Sequence, residues 1–128
     1  VEVLDPEFWT GLSASLLPET RRGDADDPIA GVCRWVSTDP PVDLVVGKGA
    51  WIEPALTRRE WLEVEGLRLP IVTAADLILL KLVAGGPQDL LDVRLLLARD
   101  PGPLRPTVEA SLSLLPPHAA AAWATIAS

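Results

Sequence analysis

Through residue 72 the apolar positions fall in short runs, several of them alternating with polar ones. From Thr73 onward they recur at three- and four-residue spacing. Val1 to Leu4 reads as the end of a strand. Asp5, Pro6 and Glu7 then supply the cap, first position and first turn of a helix. Its stripe is Phe8, Leu12 and Leu16, and Pro18 ends it. Residues 19–28 read as a polar loop. Ile29 to Val36 and Val42 to Val46, joined by Asp39-Pro40-Pro41, predict an antiparallel hairpin. A short helix is expected from Ala50 to Arg59. A second hairpin, Trp61 to Val64 and Leu67 to Val72, turns at Glu65-Gly66.

Thr73 with Asp76 three residues later gives a capping-box-like start. The helix runs from Ala74 to Ala84, and Gly85-Gly86 stops it. Pro87 opens the next helix, and Asp100-Pro101-Gly102-Pro103 breaks the chain again. Two further helices are expected, Thr107 to Leu115 and Pro117 to Ala127. Strands and two helices followed by four helices make an α+β domain over 1–128, with a sheet part at 1–72 and a helical part at 73–128.

Composition narrows the picture. The chain has 128 residues, 48% of them hydrophobic, enough for a folded core. No apolar run reaches the ~18 residues of a membrane span; Lys81 interrupts the longest. No basic n-region opens the chain, so no signal peptide is read. A lone Cys33 in an apolar run reads as a small buried hydrophobe and fits a reduced, cytoplasmic setting. The formal charge of −7 argues against broad nonspecific nucleic-acid binding, while leaving room for a local basic groove.

Asp43 is the first candidate. A lone carboxylate inside an apolar strand requires a cation, a donor or water. Both a metal ion and a loop amide satisfy that requirement. Lys81 interrupts an otherwise apolar helix. Asp89 and Asp92 share one face of the next helix at three-residue spacing. Helix-end electrostatics accounts for both; so does a pairing of Lys81 with Asp89 or Asp92 across the Gly-Gly turn. His118 reads as a helix-start or surface residue without metal partners. Arg21-Arg22 and Arg58-Arg59 read as solvated charge, with phosphate contact as the alternative. Trp35, Trp51 and Trp61 read as core or groove packing, and Trp51 beside Gly47-Lys48-Gly49 is the candidate for base stacking.

The run Lys81, Leu82, Ala84, Gly85, Gly86, Asp89, Asp92, Val93 resembles the late motif of bacterial nucleotidyltransferase-like proteins related to the abortive-infection (AbiEii-type) type IV toxin family. The strand Val42-Asp43-Leu44, followed by a short helix, a hairpin and Leu69-Pro70, is similar to the same pattern. The resemblance covers nearly the whole chain.

What it implies is a polymerase-β-like nucleotidyltransferase fold: a small mixed or antiparallel sheet packed by helices. In such proteins three strand carboxylates hold two divalent metals, here Mg²⁺. The resemblance makes Asp43 the third carboxylate and a metal ligand, Lys81 the lysine near the nucleotide phosphates, and Asp89 its acidic partner. It further implies transfer of a nucleoside monophosphate from an NTP to an acceptor, with RNA or tRNA as the candidate, and a cognate antitoxin as partner. A noncatalytic binding or regulatory module of the same fold is the alternative. The Gly-Gly or Gly-Ser turn and the first two carboxylates are not in this sequence. They are expected N-terminal to Val1, in a longer parent, which leaves activity of this chain alone open.

Overall fold

The computed structural model describes residues 2–128, Pro101 by its backbone alone. The architecture is α+β, with two small antiparallel sheets and five α-helices among the described residues. The chain divides into two compact units, Val1–Lys48 and Gly49–Ser128. The second hairpin and the first helix therefore belong with the helical part.

In the first unit, β1 (Glu19–Arg22), β2 (Ile29–Trp35) and β3 (Val42–Gly47) form a sheet ordered β1-β2-β3. The central strand carries the small and buried residues, Gly31 and Cys33. Leu4 packs so close that a Cβ at Gly31 would meet its methyls at 2.7 Å. The Cys33 thiol donates to the Val3 carbonyl at 3.0 Å. Trp9 meets Trp35 edge-on, with ring centroids 5.1 Å apart, and its indole N–H donates to Val3 O. Burial pushes the Cys33 thiol above its ordinary range, which keeps it protonated and unreactive.

Three expectations fail in this unit. Val1 lies outside the described residues, and Glu2–Leu4 forms a 3₁₀ turn instead of a strand end. The helix expected to start at Asp5 breaks into two 3₁₀ turns, Pro6–Trp9 and Ala14–Leu16. Asp5 does not cap; its carboxylate pairs with Arg22. Gly11 lies in the middle of the segment, and so short a helix with one interior glycine is marginal. The loop expected at 19–28 contains β1, because an edge strand can be held by its ladder to β2 without burying apolar side chains.

The second unit begins with α1 (Ile52–Thr57) and the hairpin β4 (Glu60–Val64) and β5 (Leu67–Ile71). The turn has Glu65 and Gly66 at positive φ, +50° and +79°, the geometry of a two-residue hairpin loop. The helices follow: α2 (Ala74–Ala84), α3 (Pro87–Arg99), α4 (Pro101–Ser111) and α5 (Pro117–Ala127). Helix α2 is the hub, packing against α3, α4 and α5. Ile78, Leu79, Leu82 and Val83 from α2 meet Val93, Leu97, Val108, Ala119 and Trp123 in one core.

The observed α2 has the expected bounds. Thr73 accepts from the Asp76 amide at its start. Gly85 closes it in the left-handed region at φ +69°. Helix α4 starts earlier than expected, at Pro101, because prolines at the first helical positions are compatible with helix geometry. Trp51 is only 4% exposed and belongs to the core, so base stacking on it is ruled out.

Candidate functional site

The helical turn between α2 and α3 brings three of the charged side chains together. Lys81 sits in the last turn of α2, which spans Ala74–Ala84. The left-handed Gly85 reverses the chain, and Pro87 starts α3 at once, so its first turn returns beside Lys81. The Lys81 ammonium donates to Asp89 Oδ1 at 2.9 Å and lies 2.9 Å from Asp92 Oδ2. Gln88 Nε2 donates to the other Asp92 oxygen at 2.9 Å. A Cβ at Gly86 would lie 3.0 Å from Asp89 Oδ2, so a glycine here lets the carboxylate fold against the backbone.

All three side chains keep roughly a quarter of their surface open, 25% for Lys81, 26% for Asp89 and 30% for Asp92. The pairing therefore sits at the rim of the helical core, in a screened setting. Hydrogen bonds to Asp89 and then Asp92 hold the lysine above its ordinary pKa. Hydrogen bonds from Lys81 and then Gln88 hold Asp92 below its own. Lys81 has three N–H donors, and two face these carboxylates; the third has no partner among the described residues.

His118, at the start of α5, donates from Nε2 to the Val83 carbonyl at 2.9 Å. It thus satisfies one of the open carbonyls at the end of α2, a structural role.

Asp43 has a different setting. It lies in the first unit, on edge strand β3, in register with Arg34 of β2. Arg34 Nε and Nη2 each donate to one Asp43 oxygen at 2.7 Å. The carboxylate is 36% exposed and Arg34 57%, so the pair stands on a solvent-facing side of the sheet, and the cation that an acid in an apolar strand requires is Arg34. The Arg34 hydrogen bonds keep the Asp43 carboxyl below the usual range. The Mg²⁺ implied by the resemblance does not fit this donor set. Both Asp43 oxygens accept from Arg34, and among the described residues no group of three His, Cys, Asp or Glu side chains could hold a metal.

One buried ion pair was not foreseen as such. Asp76 is 1% exposed in α2, and Arg58 at the end of α1 holds it with two N–H groups. Thr73 Oγ1 donates to the same carboxylate at 2.7 Å. The sequence carried the signal: Asp76 falls on the stripe of Leu79 and Val83, so its carboxylate had to be buried and paired. Arg58 is thereby structural, whereas Arg59 beside it turns to the hairpin.

Compared with family models, curated proteins and solved structures, the chain finds no match. Among the described residues no helix is long and apolar enough to cross a membrane.

Proposed function

We propose that this chain is part of a nucleotidyltransferase-like protein, of polymerase-β-like fold, in which Lys81 meets the phosphates of an NTP. The activity is transfer of a nucleoside monophosphate to an acceptor such as RNA or tRNA, in a toxin paired with an antitoxin. The observation that supports this reading is the Lys81–Asp89–Asp92 cluster across the Gly85-Gly86 turn. Two carboxylates keep the lysine charged and extended, and its third N–H is the one offered to a phosphate oxygen. No step of the proposal runs through a metal held by this chain.

A thermal-shift series with ATP, GTP, CTP and UTP tests it. A bound nucleotide raises the melting temperature in proportion to the logarithm of its concentration. Wild type is expected to respond to at least one NTP, Lys81→Ala to lose the response, and Lys81→Arg to keep part of it. No response of wild type to any of the four overturns the reading.

A second reading, a noncatalytic binding or regulatory module of the same fold, is favoured by the Arg34–Asp43 pair. An arginine that fills both oxygens of the one candidate metal ligand suits a chain without metal chemistry. NTP binding without any labelled nucleoside monophosphate appearing on added RNA supports this second reading.

A further inference from the structure

Trp61 stands on the β4–β5 hairpin with 49% of its surface open. Arg59 Cζ lies 5.5 Å and Arg68 Cζ 5.2 Å from its ring centroid, both within cation–π reach. Alternation along β4 puts Trp61 and Glu63 on one face, and Arg59, just before the strand, reaches the same indole. The register sets Arg68 opposite Glu63 and diagonal to Trp61. The hairpin thus has one face of Glu60, Leu62, Val64, Leu67, Leu69 and Ile71, and an opposite face centred on a half-exposed indole with two guanidiniums in reach of its ring.

Neither guanidinium is engaged by a carboxylate among the described residues. Arg59 Nη1 donates to the Leu56 carbonyl at 2.8 Å, which engages one N–H group of the guanidinium and leaves the others open. Arg68 lies over Trp61, although Glu63 is its direct cross-strand neighbour. This face carries two guanidiniums and one carboxylate, although Glu60, Glu63 and Glu65 outnumber Arg59 and Arg68 over the hairpin as a whole.

We propose that the Arg59–Trp61–Arg68 face binds single-stranded nucleic acid. A base stacks on the indole or on a guanidinium plane, and the flanking phosphates meet the open N–H groups. The open strand face contacts a ligand from one side only. That suits a strand running across it more than a free nucleotide, which gains its affinity from enclosure. The opposite face, apolar side chains with Glu60, offers no cation to a phosphate and is excluded as the recognition surface. The inference goes beyond the nucleotide reading, and its test contains no NTP, so the two fail separately.

The test is fluorescence anisotropy of an end-labelled 12-nucleotide oligouridine titrated with the full chain at low salt. Wild type is expected to bind. Trp61→Ala is expected to weaken binding roughly five- to a hundredfold, the range for losing one stacked base. Trp61→Phe should restore most of it. Arg59→Gln with Arg68→Gln should weaken binding and flatten its dependence on salt. Trp61 projects from the hairpin's polar face, and a circular-dichroism melt of each variant confirms folding. No binding by wild type, or identical curves for wild type, Trp61→Ala and the double glutamine variant, overturns the proposal: the arginines then only brace the hairpin. Competition by uridine monophosphate at the same concentration as oligouridine overturns the choice of a strand.

Discussion

Arg58 and Asp76 lie eighteen positions apart, and the guanidinium reaches across to hold both oxygens of a carboxylate that is 1% exposed. The pair ties the end of α1 to the start of α2, where Thr73 caps. Removing one partner of such a pair strands the other. Arg58→Ala is expected to cost about 3 kcal/mol, at the low end for a broken buried pair because Arg58 itself remains partly exposed. Asp76→Asn combined with Arg58→Ala should cost less than the two single changes together. Urea melts of the four proteins give this double-mutant cycle, and additive values would contradict the assignment.

The Lys81 cluster sets a pH profile. Asp92 has its carboxyl below the ordinary range in the folded state, so the stability it contributes is present above about pH 4 and is lost as pH falls through the folded value. Lys81 is raised, so its contribution is present below about pH 10 and is lost as pH rises through its folded value. Between these limits the cluster is fully paired. Lys81→Met is expected to flatten both limbs of a melting-temperature profile, and Asp92→Asn chiefly the acid limb. An unchanged profile in both variants would count against the pairing.

Asp43 gives the opposite expectation. A solvent-facing pair on an edge strand contributes little. Asp43→Asn should leave the melting temperature nearly unchanged, and so should Mg²⁺ added to wild type. Metal-dependent stabilisation that disappears in Asp43→Asn would restore the metal-ligand reading.

Gly85 at φ +69° is expected to resist replacement. A Cβ there would meet its nearest neighbour, His118 Cδ2, at 3.7 Å, an ordinary contact, so the cost lies in the backbone. Gly85→Ala should destabilise by about 1 kcal/mol. Gly85→Asn, whose side chain tolerates the left-handed region, should cost less. Thermal melts of the two variants decide it.

Most of the helical half was legible because its helices, α4 excepted, announce their starts locally. Thr73, Gly85-Gly86, Pro87 and Pro117 are punctuation that acts within a few residues of itself, and α2 and α5 have the expected bounds. The hairpin of β2 and β3 was legible too, but the residues before Ile29 were not, because their structure depends on pairing. Glu19–Arg22 has no apolar alternation, yet it is a strand because β2 offers it a ladder. Asp5 looks like a helix cap but pairs with Arg22, an interaction that sequence spacing cannot reveal. The Lys81 pairing was readable as one of two alternatives, since a two-glycine turn returns the chain beside its own helix. The partner of Asp43 was hidden for want of register: Arg34 and Asp43 face each other only because the hairpin pairs Trp35 with Val42.

Because α3, α4 and α5 all lean on α2, that helix cannot fray without the other three losing their common support. Amide hydrogens of Ile78 to Val83 should therefore exchange last in the second unit, with Lys81 carried on its slowest-opening segment. The hairpin at 60–71 is a two-stranded ribbon with open edges, and its amides should exchange early. A charged group anchored in the slow segment keeps its position while the ribbon breathes.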